Sequence, residues 1–169
     1  MSEAPVEVFF NDTWRAYVHH PNDSRWTRES YAPLGMLSCV SDMWTLWNSC
    51  ESVVDRTMMF IMREHVFPVW DDPACIEGSI GSAIVPQKDA LAAFQDLACR
   101  ALGEVLMRSS LDWADLNGVS IAPKNGFCVV KVWMRTCECD ASRLALPSML
   151  DPGSVRFQPC RNRIESARK

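Results

Sequence analysis

The stretch NGVSIAPKNGFCVVKVWMRT, residues 117–136, places two apolar runs on either side of Lys124-Asn125-Gly126. Asn-Gly supplies positive-φ turn positions at little steric cost, so it predicts a hairpin with antiparallel strands over 117–122 and 127–136. Immediately upstream, the apolar positions Leu91, Phe94, Leu97, Ala98, Ala101, Leu102 and Val105 follow the 3.6-residue period and predict a helix over 87–107. A hairpin beside a long amphipathic helix indicates an α+β fold, an antiparallel sheet with its helices on one side. The remaining segments suit that plan. Residues 13–20, 31–40, 57–63, 82–86 and 154–158 read as strands. Ser41-Asp42, a cap residue followed by an acid, opens a helix to about Val54, and a short helix fits 140–146 before Pro147. Residues 64–81 read as a long loop ending in a flexible linker, Gly78-Ser79-Ile80-Gly81-Ser82, which has neither phosphate-loop nor dinucleotide-fingerprint spacing.

The 169 residues suit one domain over 1–169, with a flexible N-terminus (about 1–8) and a basic C-terminal tail (about 160–169) that orders on binding. A net charge of −4 argues against a general duplex binder, whose affinity comes from phosphate contacts, so a nucleic-acid role must rest on a small local site. The chain has no 18-residue apolar run and no basic-then-apolar leader in MSEAPVEVFF, so it is expected to have no membrane span and to be cytoplasmic, with its eight cysteines as thiols. Seven tryptophans are the outlying count. Such a surplus suits flat-ligand stacking and interface anchors as well as core packing.

Three tryptophans stand apart from the apolar stripes. On the helix opened by Ser41, the residues Met43, Trp47, Cys50 and Val54 share one face, whereas Trp44 falls beside Asn48, Glu51 and Asp55. Trp44 reads either as a ring lying flat at the core margin or as an anchor for a partner protein. Trp26 ends the polar loop HPNDSRW, and Trp70 sits in FPVWDD. Two loop aromatics can sandwich a planar base, at about 1–3 kcal/mol of stacking per base, and a cationic base adds cation–π attraction. N7-methylated guanine is such a base, and its N1–H and N2–H₂ edge could donate to Asp71, directly after Trp70. On spacing alone, Asp71-Asp72-Pro73 reads equally as a solvated turn.

The order Arg25-Trp26, SDMWTLWN (41–48), FPVWDD (67–72), ALGE (101–104), NGV (117–119) and a strand ending at Trp133 resembles the translation initiation factor 4E family of mRNA 5′-cap-binding proteins, over roughly residues 13–136. The resemblance implies a curved antiparallel sheet backed by about three α-helices on its convex side, with the cap pocket on the concave side. Trp26 and Trp70 would hold the base, Asp71 would read its donor edge, and Trp133 would lie near the N7-methyl group. Val40 and Trp44 would belong to a convex surface that docks a scaffold of the initiation factor 4G type or a repressor of the 4E-binding type. The implied protein is a monomer that controls translation initiation, with neither catalytic activity nor a cofactor.

The departures imply altered affinity. Asp71 stands where the family usually has Glu, and Ile80, Gly126 and Val129 occupy places of family basic residues. Lys124 matches one such residue. Lys131 shares a sheet face with position 129 and could substitute, with Arg161, Arg163, Arg168 and Lys169 of the tail as further phosphate ligands. Val8-Phe9 stand near the family's His-Pro pair, and Gln95 and Cys99 replace family apolar positions. These changes suit a divergent member adapted to a cap with extra methyl groups or to unusual partners. The alternative is an interaction module that keeps the fold, binds the cap weakly or not at all, and regulates translation or RNA turnover through Trp44. A zinc site from Cys137, Cys139 and Cys160 or His65 lacks the paired C-x-x-C spacing, and a catalytic cysteine paired with His19, His20 or His65 lacks a signature.

Overall fold

The computed structural model describes residues 6–168. These form strands β1 (Phe9–His19), β2 (Tyr31–Cys39), β3 (Met58–Arg63), β4 (Ser79–Pro86), β5 (Leu116–Pro123), β6 (Phe127–Met134) and β7 (Arg156–Pro159), with helices α1 (Val40–Cys50), α2 (Ala90–Leu102) and α3 (Cys160–Ala167). The expectation for residues 1–5 and Lys169 lies outside the described residues. The strands make one curved antiparallel sheet in the order β2-β1-β3-β5-β6-β4-β7. The hairpin at residues 124–126 joins β5 and β6 as its sequence predicts, with Pro123 opposite Cys128 and Gly126 at φ 83°.

Strand alternation sorts side chains onto two faces. On one face, Trp14 and Ala16 of β1, Met59 and Ile61 of β3, and Val130 and Val132 of β6 pack against Trp47 of α1 and against Phe94 and Leu97 of α2. On the other, Tyr17, Phe60, Met62 and Trp133 form a smaller apolar cluster with Tyr31, Phe67, Ile80 and Cys160. The sheet therefore has a helix-backed face and an open face, and the open face carries a row of aromatic residues.

Several boundaries differ from the sequence reading, some through local backbone turns and one through strands remote in sequence. α1 ends at Cys50 rather than near Val54, and Val54 is still fully buried through the turns that follow. α2 ends at Leu102 instead of 107, because Glu104 adopts φ 58° and the Arg100 carbonyl accepts from both Val105 and Leu106. Val105, assigned to the apolar stripe, is consequently exposed, while Leu106 and Met107 turn into the core. β4 starts at Ser79 rather than 82. The supposed linker is a strand because Ser79–Ser82 pair with β6 on one side and with β7 on the other. Gly81 is needed there: a Cβ at this position would lie 2.5–2.9 Å from atoms of the Phe157 ring. The expected helix at 140–146 shrinks to a single 3-10 turn, Ala141–Arg143.

The C-terminal segment departs furthest from expectation. It is read in the sequence as a tail, yet residues from Cys160 form α3. Among the described residues, α1 and α2 pack on the helix-backed face, while Cys160, Ile164 and Ala167 of α3 turn to the open face. Its apolar residues Cys160, Ile164 and Ala167 are spaced at i, i+4 and i+7 and make one narrow stripe, too short to stand out among the surrounding charges. No helix among the described residues is long and apolar enough to cross a membrane.

Candidate functional site

The open face forms the floor of a cavity of about 270 Å³. Its walls are the 20–30 loop, the 64–78 loop and α3. Trp26, Trp70, Asp71, Trp133 and Lys131 all line it, although they come from three separate parts of the chain. So does Arg168, directly after α3, whereas the other expected phosphate ligands among the described residues do not. Lys124 sits at the β5–β6 turn, Arg161 is paired with Glu77, and Arg163 lies behind Trp70 with its guanidinium 5.9 Å from the ring centroid.

Each aromatic wall is held by identifiable contacts. Trp26, 53% exposed, stacks on the His19 ring at 4.4 Å between centroids and 3° between planes. Trp133 is buried and fixed by its indole N–H, which donates to the Ser120 hydroxyl at 2.9 Å. Trp70 sits in a loop tied down from two strands. Tyr31 of β2 donates its hydroxyl to the Pro68 carbonyl at 2.8 Å, and Asn117 of β5 donates its side-chain amide to the Ala74 carbonyl at 2.7 Å. Burial pushes the Tyr31 phenol well above its ordinary value, and the Asp71 charge adds to this.

The adjacent acids Asp71 and Asp72 divide their work. Asp72 is buried and accepts the backbone N–H groups of Phe67 and Ala74 at 3.3 and 2.9 Å, so it closes the loop on itself. Asp71 is exposed at the cavity edge, and its carboxylate has no hydrogen-bond partner among the described residues. The turn reading therefore fits Asp72, which leaves Asp71 free for a ligand.

Lys131 has two cationic neighbours outside the cavity, Arg163 and Lys124. Burial pushes the Lys131 ammonium down to about 8, helped by the charges of Arg163 and Lys124. Burial also lowers Arg163, whose Nη2 donates to the Ser82 hydroxyl at 3.3 Å and whose Nε is buried without a partner. Among the described residues, neither Lys131 nor Arg163 has a carboxylate within salt-bridge distance. Two desolvated like charges are stable together only at a cost, which an incoming anion would relieve.

A profile of the family described as Eukaryotic initiation factor 4E matches residues 9–158, most of the chain. The protein belongs to the eukaryotic initiation factor 4E family. Solved members of this family share its fold. The C. elegans eIF4E-3 in complex with the 4E-binding protein Mextli and a cap analog superposes with a TM-score of 0.77 at 14% identity, covering 97% of each chain. A Schistosome eIF4E complexed with m7GpppG and 4E-BP gives 0.76 at 15% identity, covering 98% of this chain and 93% of that one. Ascaris suum eIF4E-3 with an m2,2,7G cap gives 0.72 at 14%, covering 91% and 92%.

Sequence reasoning alone missed several components of this family member's cavity. Tyr31, Met58 and Phe60 fall in strands whose facing is set by the sheet, Ile164 and Ala167 belong to the helix read as a tail, and His19, outside the cavity, stacks on Trp26. The Cys160–Ile164–Ala167 spacing was the available signal. On the opposite side of the molecule, Trp44 is 56% exposed on α1, and Val40 opens that helix. The Val40 N–H donates to the Val8 carbonyl at 2.9 Å, which brings the exposed side chains of Val8 and Phe9 to the same helix end.

Proposed function

We propose that this protein binds the 7-methylguanosine 5′ cap of mRNA, holding the base between Trp26 and Trp70, and docks a scaffold or repressor protein on its helix-backed face to control translation initiation. The observation that carries this reading is the convergence of two loop tryptophans, a carboxylate without a partner and a third tryptophan on one cavity. Asp71 accepts the N1–H and N2–H₂ donors of guanine, and Trp133 lines the pocket near the N7-methyl group. The cavity lies just below the usual range of small-molecule sites, about 300–1,000 Å³, which suits a base with its phosphates leading outward. Lys131 is the primary phosphate ligand, with Arg163 and Lys124 in support, while Arg161 can contribute only by releasing Glu77. Val40 and Trp44, extended by Val8 and Phe9, form the docking surface for a partner of the 4G or 4E-binding type. The site of action is the cytoplasm.

One observation favours a second reading. Ile164 and Ala167 line the cavity, and the Arg163 cation lies against the ring that would stack the cationic base. A cavity narrowed in this way fits a fold-retaining interaction module with weak cap affinity. Titration with 7-methyl-GTP, followed by tryptophan fluorescence with GTP as control, separates the two readings. Selective quenching by the methylated nucleotide supports the cap reading, and equal or absent quenching supports the module.

The lowered Lys131 value gives a pH signature. A base with a depressed value loses its charge as pH rises, so Lys131 becomes neutral as pH passes about 8. Affinity for 7-methyl-GTP is expected to fall through that range more steeply than affinity for 7-methylguanosine, which has no phosphates. The comparison cancels titration of the base itself. In Lys131→Met the two profiles become parallel, and an unchanged difference between them would remove Lys131 from the phosphate site.

A further inference from the structure

His19 closes β1 and is 1% exposed, a polar ring in a buried place. Its surroundings point to a more specific task. The imidazole Nε2 lies 2.8 Å from the Arg25 carbonyl, so that nitrogen bears the proton and donates. The Ser30 hydroxyl donates to the same carbonyl at 2.9 Å. These two bonds tie down the end of the 20–25 loop immediately before Trp26. The residues flanking Trp26 are exposed, and among the described residues its indole has no other parallel-stacked neighbour: the Tyr31 ring stands 6.3 Å away and tilted by 58°. His19 supplies that neighbour in a near-parallel stack.

The side on which the stack occurs matters. Trp26 lines the cavity and His19 does not. The imidazole therefore covers the indole face turned away from the cavity, and the cavity face stays open. A loop tryptophan without such backing would sample many rotamers, and ordering it would reduce the free energy of ligand binding.

We infer that His19 is a positioning residue for Trp26: its ring holds the indole from behind, and its Nε2–H anchors the loop, so that the cavity face of Trp26 is presented ready for a planar cationic base. This rests on the cap reading of the cavity, and the test separates the two. In His19→Gln an amide donor remains for the Arg25 carbonyl but the stack is lost. In His19→Phe the flat ring remains. An aromatic pair of this kind supports affinity changes of up to about tenfold, so His19→Gln is expected to weaken 7-methyl-GTP binding by roughly that factor, while His19→Phe recovers most of it. In a Trp26→Ala background, His19→Gln should have no further effect, because the residue acts through the indole. Without nucleotide, the Trp26 indole N–H resonance, assigned by its loss in Trp26→Phe, should move toward the position of a solvent-exposed indole in His19→Gln and stay near its original position in His19→Phe. An unmoved resonance in His19→Gln, or equal losses of binding with and without Trp26, would overturn the inference. If the wild-type protein fails to bind 7-methyl-GTP selectively, the cap reading falls, and the nucleotide-free resonance still decides whether His19 holds Trp26.

Discussion

Asp71→Ala is expected to abolish retention on 7-methyl-GTP resin while leaving the fold intact. The carboxylate would accept two charge-assisted hydrogen bonds from guanine, each contributing about 1.5–3 kcal/mol, and its removal leaves both donors without that acceptor. The combined effect is a loss of affinity on the order of a hundredfold or more. Because Asp71 is exposed and bonds to nothing among the described residues, thermal unfolding should be unchanged. Asp71→Glu, which installs the residue usual in the family, should bind at least as well as the wild type. Asp72→Ala makes the contrast clear, since it removes the acceptor for Phe67 and Ala74 and loosens the loop itself. Trp44→Ala should leave resin retention unchanged and instead reduce capture of a 4E-binding peptide. Retention of Asp71→Ala at the wild-type level would mean that the base is read elsewhere.

The second large effect concerns stability. Arg63 is 3% exposed at the end of β3. It donates Nε to the Leu116 carbonyl at 2.5 Å, Nη2 to the Trp113 carbonyl at 2.9 Å and Nη1 to Asp12 at 2.5 Å. The guanidinium also lies over the rings of Trp14 and Trp113, at 4.8 and 3.4 Å from their centroids. Removing Arg63 leaves the Leu116 and Trp113 carbonyls without their charged donor, while Asp12, 39% exposed, can turn to water, so Arg63→Ala is expected to cost about 3–5 kcal/mol, mostly from the two carbonyls. For a chain of this size that lowers Tm by roughly 10 °C or more. Arg63→Lys should also be destabilising, because a point charge with rotating donors cannot serve three fixed directions at once. Urea unfolding followed by circular dichroism measures both variants. A change below about 1 kcal/mol, the usual ceiling for an exposed pair, would show that the network contributes no more than a surface salt bridge.

The legibility of this protein varies with the range of the interaction behind each feature. The β5–β6 hairpin was readable because Asn125-Gly126 acts within four residues. α1 and α2 were readable because their stripes are local and periodic, and the face of Trp44 followed from the same geometry. Their ends were not, since α2 stops where Glu104 takes a left-handed turn. The glycines around Ser79 looked like a linker because the strands that pair with that segment lie some fifty and eighty residues downstream.

The same division runs through the site. By itself the sequence determined which chemical groups are present: Trp26, Trp70 and Asp71 could be singled out from residue type and loop context, and Trp133 from the resemblance to the family. The tertiary structure decided how they are held and what surrounds them. Sheet alternation turned His19, Phe60 and Lys131 to the open face, and burial beside Arg163 lowered the Lys131 value. The short apolar stripe of α3 became meaningful only once an apolar cavity lay opposite it. Residue identity and helical or strand period are properties of a few neighbouring residues, whereas desolvation, stacking and charge proximity exist only after distant segments have been packed together.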